Sequence, residues 1–350
     1  MLSRPRPILL ALSLTVLAGC AADEATTGPA RLLEESSVNL ALIPGQVLPL
    51  PPGYNSGYAL DIANNGDVVG GATYLGSRVD GYHYNGSTGA VTALSPSFAW
   101  DSWAEGVFGG TVALNSYTGS KYLPYRWSNV GGYVPVVLPP SAVHGYLAGI
   151  GSGGVVGGWV ARADLKPRAF KNDANGSTLL NPAGADSSKV ISVASNGYMA
   201  GWAAYGGQLR AAAWIAGVTY VRPPQGSEDV AARGINNKGE IAVVEFSLPG
   251  TPSGKVFRWV PAKGTYTRLA PLGDHMTPSD VSNKGRIAGF QNVSGVISPV
   301  TFRNGVLQLL TTPFGTGFAL AVNACGDQAG YGANGGLTLP VLWRSLPCDP

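Results

Sequence analysis

The chain has 350 residues, of which 50 are glycine and 26 are proline, and only 12% are charged. Glycine and proline at this density indicate many turns rather than long helices, and 45% hydrophobic residues exclude a disordered chain. The formal charge of +3 falls to +1 (21 basic against 20 acidic residues) without Arg4 and Arg6, which excludes the strongly basic surface of a nucleic-acid-binding protein.

The first 20 residues predict export. Arg4 and Arg6 precede an apolar run, residues 8–17, which is too short to span a bilayer and has the layout of a secretory signal. Leu17-Ala18-Gly19-Cys20 resembles the bacterial lipoprotein signal, which is cleaved before the cysteine. The resemblance implies a signal peptide over residues 1–19 and a membrane anchor through lipid on Cys20. The alternative is an ordinary cleaved signal with a chance cysteine.

A polar segment without periodicity follows the signal. Residues 20–37 therefore predict a flexible tether between the lipid and a domain that spans residues 38–350. Cys20 is followed by Ala21-Ala22 rather than by Asp, which resembles the sorting pattern of outer-membrane lipoproteins. We expect an exported protein held in the cell membrane or outer membrane, on the periplasmic or cell-surface side.

An aromatic residue recurs through the rest of the chain at intervals of 43, 43, 44, 45, 43 and 41 residues. A turn-forming series runs in phase with it, as in Ile235-Asn236-Asn237-Lys238-Gly239, because Asn and Gly tolerate the positive φ of tight turns. The second repeat is the weakest, with its turn between Glu105 and Thr111. The aromatic series, predicted to be core, is Tyr84, Trp127, Phe170, Trp214, Trp259, Phe302 and Trp343.

A period near 43 with four short strands per unit predicts an all-β fold, a seven-bladed β-propeller of four-stranded antiparallel blades. The last unit ends after its third strand at Trp343, whereas an unassigned strand-like segment, residues 45–52, precedes the first unit. This segment is similar to the fourth strand of the second unit, residues 132–140. We therefore expect the N-terminal strand to complete the last blade and close the ring of a monomer.

The two remaining cysteines, Cys325 and Cys348, both lie in the last repeat. Export implies an oxidising compartment, so we expect a disulfide between them, with two unpaired thiols as the alternative. Two cysteines and three separated histidines do not provide the ligand spacing of a zinc site. No metal and no cofactor is predicted.

The pattern Ile-Asn-x-x-Gly-x-Ile-x-Gly, followed about twenty residues later by a short aromatic strand, resembles the HAF repeats of exported bacterial proteins. Residues 235–243 and 281–289 match best, and the resemblance covers residues 53–345. The His-Ala-Phe triplet itself is absent, and Arg168-Ala169-Phe170 is one of the nearest segments. The resemblance implies an exported repeat domain and transfers no catalytic residue. One unit departs from the pattern, with Val244-Glu245 where the others place Gly and an aromatic residue.

Polar residues recur in the loops that lead into the first strands, at spacings of 43, 42, 42 and 46 residues. They predict a polar rim around the channel mouth that binds a ligand or a cation, with solvated loop residues as the alternative. Trp100 and Trp103, which flank the first of them, predict a stacking platform for a sugar ring. The rim residues are Asp101, His144, Asp186, Glu228 and Asp274, the last followed by His275.

No nucleophile elbow, phosphate-binding loop or dinucleotide fingerprint is present in the sequence. Carboxylates could still meet across the channel as acid and base, the first candidates being Asp101, Glu105, Asp229 and Asp274. The second-strand aromatics Trp159, Trp202, Phe290 and Tyr331 are expected to pack between blades. The sequence favours a module that binds or scaffolds a glycan or protein ligand, and it leans against an enzyme. The alternative is a polysaccharide hydrolase or lyase.

Overall fold

A computed structural model describes residues 42–74, 78–222, 229–248, 251–269, 276–293 and 295–345. Within these ranges the only helices are two short 3-10 segments, Ser152–Gly154 and Pro261–Lys263. The strands form five four-stranded sheets and one eight-stranded sheet. None of the described helices is long and apolar enough to cross a membrane. The prediction of an all-β fold built from four-stranded antiparallel sheets is confirmed.

One strand, β1 (Ile43–Val47), precedes the sheets, and the others follow in chain order, four to a repeat. The first sheet holds β2 (Tyr54–Ile62), β3 (Val68–Tyr74), β4 (Arg78–Tyr84) and β5 (Val91–Leu94). The second holds β6 (Asp101–Phe108), β7 (Thr111–Tyr117), β8 (Tyr122–Ser128) and β9 (Gly132–Pro135). The third holds β10 (His144–Ile150), β11 (Val156–Ala161), β12 (Pro167–Asp173) and β13 (Gly176–Leu179). The weak second repeat therefore does form four strands.

The fourth sheet holds β14 (Ser187–Val193), β15 (Met199–Tyr205), β16 (Gln208–Ile215) and β17 (Val218–Val221). The fifth holds β18 (Asp229–Ile235), β19 (Ile241–Leu248), β20 (Thr251–Val260) and β21 (Thr265–Arg268). The eight-stranded sheet holds β22 (Met276–Val281), β23 (Ile287–Val293), β24 (Val296–Arg303), β25 (Val306–Thr311), β26 (Thr316–Val322), β27 (Gln328–Asn334), β28 (Leu337–Trp343) and β1.

The strand β1 joins the two halves of the eight-stranded sheet. It pairs antiparallel with β28, where Gly45 lies opposite Trp343 and Val47 lies opposite Val341. It also pairs parallel with the end of β25, where Ile43 lies opposite Leu310. The N-terminal segment thus supplies the strand next to β28 that the last repeat lacks.

The first strands of all the sheets contribute to one cavity, through their last residues and the turns that follow. Hydrogen bonds between these turns connect the last repeat to the first. The Asn323 side-chain amide donates to the Ala63 carbonyl over 3.2 Å, and the Ala324 N–H donates to Asn64 Oδ1 over 2.9 Å. Near the start of β2, the Thr338 N–H of β28 donates to Ser56 Oγ over 3.0 Å.

The asparagines of the repeated turn hold neighbouring sheets together as well as forming the turn. Asn236 Oδ1 accepts the N–H groups of Lys238 and Glu240, each over 3.0 Å, and its amide donates to the Ser282 carbonyl of the next turn over 2.8 Å. Gly239 has φ +72°, as the turn chemistry predicted. The Ile-Asn-x-x-Gly pattern therefore encodes a turn and a contact between sheets.

The core lies between adjacent sheets, and the third-strand aromatics are part of it. All seven are buried, as predicted, with Trp343 at 1% exposure. The Trp343 indole N–H donates to the Thr311 carbonyl over 2.7 Å, and the Trp214 indole N–H donates to the Leu180 carbonyl over the same distance. A buried indole with its N–H satisfied contributes apolar area without an unpaired donor.

The strand register corrects the interpretation of the fifth repeat. Val243 and Val244 lie opposite Ala232 and Ala231, so they occupy the places that Gly201 and Trp202 occupy in the fourth sheet. Glu245 lies one residue further along, where it is 4% exposed and accepts from Lys255 Nζ over 2.7 Å. The departure from the pattern therefore falls on the two valines, and Glu245 is the buried partner of an ion pair whose other member, Lys255, is partly exposed.

Candidate functional site

The predicted rim residues that the structure describes lie where the first strands begin. Asp101 is the first residue of β6, and its carboxylate accepts the Val79 N–H of the preceding sheet over 2.9 Å. Asp186 lies just before β14, and its carboxylate accepts the Gly206 N–H over 2.6 Å. Both carboxylates therefore hold backbone segments in place. Glu228, Asp274 and His275 lie outside the described residues.

The two tryptophans of the predicted platform lie in different surroundings. Trp100 is 60% exposed, and its indole covers Gly119, where an added Cβ would lie 3.1 Å from the ring. Trp103 is half-buried, with its ring centroid 6.0 Å from that of Tyr122. No ring contact joins Trp100 to Trp103 within the described ranges. The structure thus separates an exposed tryptophan from one that belongs to a larger group.

That group is a continuous cluster of rings from the second and third sheets, here called the aromatic cluster: Trp103, Tyr122, His144, Tyr146 and Trp159. The Tyr122 centroid lies 6.0 Å from those of Trp103, His144 and Tyr146. Tyr146 and Trp159 stack at 5.8 Å with an interplanar angle of 17°. Two members, Trp103 and His144, were predicted as ligand-binding residues, and Trp159 was expected to be core. Burial lowers the pKa of His144, which favours its neutral form.

The aromatic cluster depends on strand register. Tyr146 and Trp159 are direct cross-strand partners on β10 and β11, so their side chains leave the sheet on the same face. Trp202 and Tyr331 have the same relation to Lys189 and Phe318 in the fourth and last repeats. The second-strand aromatics are half-buried and stand beside first-strand side chains, so they do more than fill the space between sheets.

Glu105 lies beside the aromatic cluster, two residues after Trp103 on β6. Its carboxylate accepts a hydrogen bond from the Tyr146 hydroxyl. Burial raises the pKa of Glu105 to about 7, and burial together with the Glu105 charge raises the pKa of Tyr146. Of the carboxylates predicted to meet across the channel, Asp229 accepts the Leu209 N–H over 2.8 Å. Glu105 thus accepts a hydrogen bond from a side chain, whereas Asp101 and Asp229 accept hydrogen bonds from backbone N–H groups.

Two further acids, Asp61 and Asp280, line the cavity at the ends of β2 and β22. Burial raises the pKa of Asp61 to about 6 and that of Asp280 to about 7. Asp61 accepts the Val107 N–H over 2.8 Å, and Asp280 accepts the Val322 N–H over 3.0 Å. Each carboxylate therefore links its own first strand to the next one. Nothing in the repeat pattern singled these two acids out.

Replacement of Glu105 by glutamine is expected to raise stability at pH 8 by roughly 1 to 3 kcal/mol and to leave it nearly unchanged at pH 4. Because its pKa is raised to about 7 in the folded protein, Glu105 holds its proton more tightly there than in the unfolded chain. The stability that protonated Glu105 contributes to the folded protein is fully present below about pH 4 and is lost as the pH rises through 7. Glutamine keeps the acceptor for Tyr146 and removes the titration. Urea unfolding of the parent and the variant at both pH values measures this change in stability. The same difference in free energy of unfolding at pH 4 and at pH 8 would contradict the prediction.

No group of three or more His, Cys, Asp or Glu side chains among the described residues is placed to hold a metal ion. Cys325 lies in the turn after β26, and Cys348 and Cys20 lie outside the described residues. The Cys325–Cys348 disulfide and the lipid on Cys20 remain predictions.

No family model matches the chain, and no curated protein matches it significantly. Solved structures do match. A streptogramin B lyase aligns with a TM-score of 0.54 at 14% identity, over 86% of this chain and 97% of that one. A puromycin-hydrolyzing peptidase of Mycobacterium tuberculosis aligns with a TM-score of 0.58 at 14% identity, over 88% of this chain and 55% of that one. One of two prolyl endopeptidases aligns with a TM-score of 0.57 at 12% identity, over 84% and 50%.

This chain spans about half the length of the peptidases that it matches. At such low identity the similarity concerns the fold alone. Together with the four-stranded antiparallel sheets, it shows that the chain has a β-propeller scaffold.

Proposed function

We propose that this protein is an exported, lipid-anchored β-propeller that acts as a binding or scaffolding module, with a glycan as the favoured ligand and a protein as the alternative. The aromatic cluster carries this proposal. It presents half-buried ring faces next to hydroxyl, imidazole and carboxylate groups at the start of two first strands. Binding sites for small organic ligands combine apolar and aromatic walls with a few placed polar groups in this way.

The proposed architecture is a ring of seven four-stranded blades, related to HAF-repeat proteins and closed by β1. The pairing of β1 with β28 and the hydrogen bonds from Asn323 and Ala324 to the first repeat support closure. The lipid on Cys20 and the tether over residues 20–37 would hold this ring close to a membrane. A seven-fold arrangement also agrees with the period of about 43 residues.

Binding of a glycan is expected to weaken at least tenfold when Trp103 is replaced by alanine. The substitution removes the ring that contacts Tyr122 and opens one wall of the aromatic cluster. The measurement is a broad glycan and protein binding screen on the soluble form that starts at Ser37, followed by calorimetry on each ligand found.

Phe98→Ala is the matched control, because Phe98 is an exposed aromatic of the same segment whose ring lies 5.3 Å from Tyr125, outside the aromatic cluster. Trp103→Phe keeps a ring and should retain most of the affinity. Trp100→Ala tests the exposed tryptophan separately. Affinity that survives Trp103→Ala in a folded protein would contradict this placement of the site.

A second candidate function is a polysaccharide hydrolase or lyase, favoured by the hydrogen bond between Glu105 and Tyr146. A carboxyl group with a pKa of about 7 can exchange a proton with substrate at neutral pH. A streptogramin B lyase has the same scaffold, which shows only that such a scaffold can carry a lyase. If this function is correct, a glycan is turned over and Glu105→Gln abolishes turnover without loss of binding. Binding of glycans with no turnover of any of them would reject it.

A further inference from the structure

Two cations on neighbouring first strands, Lys189 of β14 and Arg233 of β18, are half-buried, and the part of the chain that the structure describes gives neither a counter-ion. No ion pair or hydrogen bond to either side chain is present within the described residues. Arg233 Nε is completely buried and lacks an acceptor in this part of the chain. Burial lowers the pKa of both groups. A buried cation without an acceptor is costly, and proteins normally pair such groups.

Both cations stand on one apolar surface. Lys189 Nζ lies 4.4 Å from the Trp159 ring centroid and 5.8 Å from that of Trp202. Trp202 packs against a separate group of buried apolar side chains that includes Phe246. The Arg233 guanidinium lies 5.7 Å from the Phe246 ring centroid. Ring faces offset part of the cost of burying a cation. They accept none of the directional N–H bonds of the ammonium and guanidinium groups, so these donors remain available.

The position of Lys189 brings this surface next to the aromatic cluster. Lys189 lies on β14 opposite Trp202, at the place that Tyr146 occupies opposite Trp159 on β10. Trp159 belongs to the aromatic cluster and also contacts Lys189. Trp159 therefore places the ammonium group of Lys189 directly beside the aromatic cluster.

We propose that Lys189 and Arg233 bind an oxyanion, the carboxylate or sulfate of an acidic glycan. This inference rests on the proposed function and names the class of its ligand. A planar guanidinium and an ammonium group are both suited to oxyanions, and charge-assisted hydrogen bonds to them are about twice as strong as neutral ones. The desolvated aromatic surface strengthens such bonds further, because the local dielectric constant is low.

The test uses three probes on the soluble form from Ser37: an oligogalacturonate, its neutral methyl ester, and inorganic sulfate. The oligogalacturonate is expected to bind, the methyl ester to bind at least tenfold more weakly, and sulfate to raise the unfolding temperature. Lys189→Met and Arg233→Met keep an unbranched apolar side chain and should each weaken oligogalacturonate binding at least tenfold. Both should also lose the response to sulfate.

Lys189→Arg retains the charge and should retain binding, which separates charge from packing. Lys166→Met, at an exposed lysine in the loop after β11, is the matched control and should behave like the parent. If sulfate raises the unfolding temperature but oligogalacturonate does not bind, the oxyanion site is supported and a uronate is excluded as its ligand. Equal responses of the parent and both Met variants would overturn the site. Neutral glycans that bind through Trp103 with no response to either acidic probe would overturn this inference and leave the proposed function standing.

Discussion

A chain that starts at Leu48 and therefore lacks β1 is expected to lose about 3 to 5 kcal/mol of its free energy of unfolding. The strand β1 covers the edge of β28 with backbone pairs at three successive residues, from Gly45 to Val47. Without β1, the N–H and C=O groups of that edge are exposed to water, and the buried Trp343 loses the strand opposite it. An exposed edge strand also invites pairing with another copy of the chain.

The control for this truncation is a chain that starts at Leu42, which keeps β1 and omits residues 1–41. Urea unfolding of the two proteins gives the difference, and light scattering reports association through the uncovered edge. A synthetic peptide of residues 42–47, added in excess, should restore stability in proportion to the logarithm of its concentration. Equal unfolding curves for the two chains would show that the pairing of β1 with β28 adds no stability.

The fold could be predicted from the sequence because two independent signals recur in phase. The third-strand aromatics mark the core between sheets, and the Asn-Gly turns mark the hairpins. Each signal depends on residues that are close together in the sequence. The turn requires positive φ at residues such as Gly239, and the core requires one large apolar side chain in each repeat. The strand β1 was also recognisable, because the last repeat lacks a fourth strand of its own.

The candidate site was less predictable because it depends on contacts between repeats. The polar residues at the start of the first strands were found by their spacing, but spacing does not reveal partners. Asp101 and Asp186 each accept a backbone N–H, whereas Glu105, which has no counterpart in the repeat pattern, accepts a tyrosine hydroxyl. The aromatic cluster joins two sheets through Tyr122, which contacts both His144 and Tyr146, and its members lie up to 56 residues apart in the sequence.

A second reason is the irregularity of the first strands. Each of them changes register at least once relative to its second strand, as between Leu147 and Gly149 on β10. Such a bulge changes the face to which the following residues point. Alternation read from the sequence alone therefore assigns part of each first strand to the wrong face, and Asp61 and Asp280 lie next to such shifts.

A large effect is also expected at a repeated glycine of the second strands, which lies opposite the last residue before the register change. Replacement of Gly330 by alanine is expected to cost about 3 kcal/mol, because the new methyl group would overlap the carbonyl oxygen of Phe318 on β26. A backbone atom cannot swing away as a flexible side chain can, so the two strands must separate. The equivalent glycines, each against a first-strand carbonyl, are Gly70, Gly158, Gly201 and Gly289.

Gly131→Ala is the control for this substitution. Gly131 lies in the exposed turn before β9, where the nearest atom to an added Cβ is the Ser128 hydroxyl at 3.0 Å, and its substitution should change stability by no more than about 0.5 kcal/mol. Thermal and urea unfolding measure both variants. Two sheets carry Leu114 and Val243 at the equivalent position, so the strands there already accommodate a side chain. If Gly330→Ala changed stability as little as Gly131→Ala, the close approach of the first strand would not be the reason for glycine at this position of the repeat pattern.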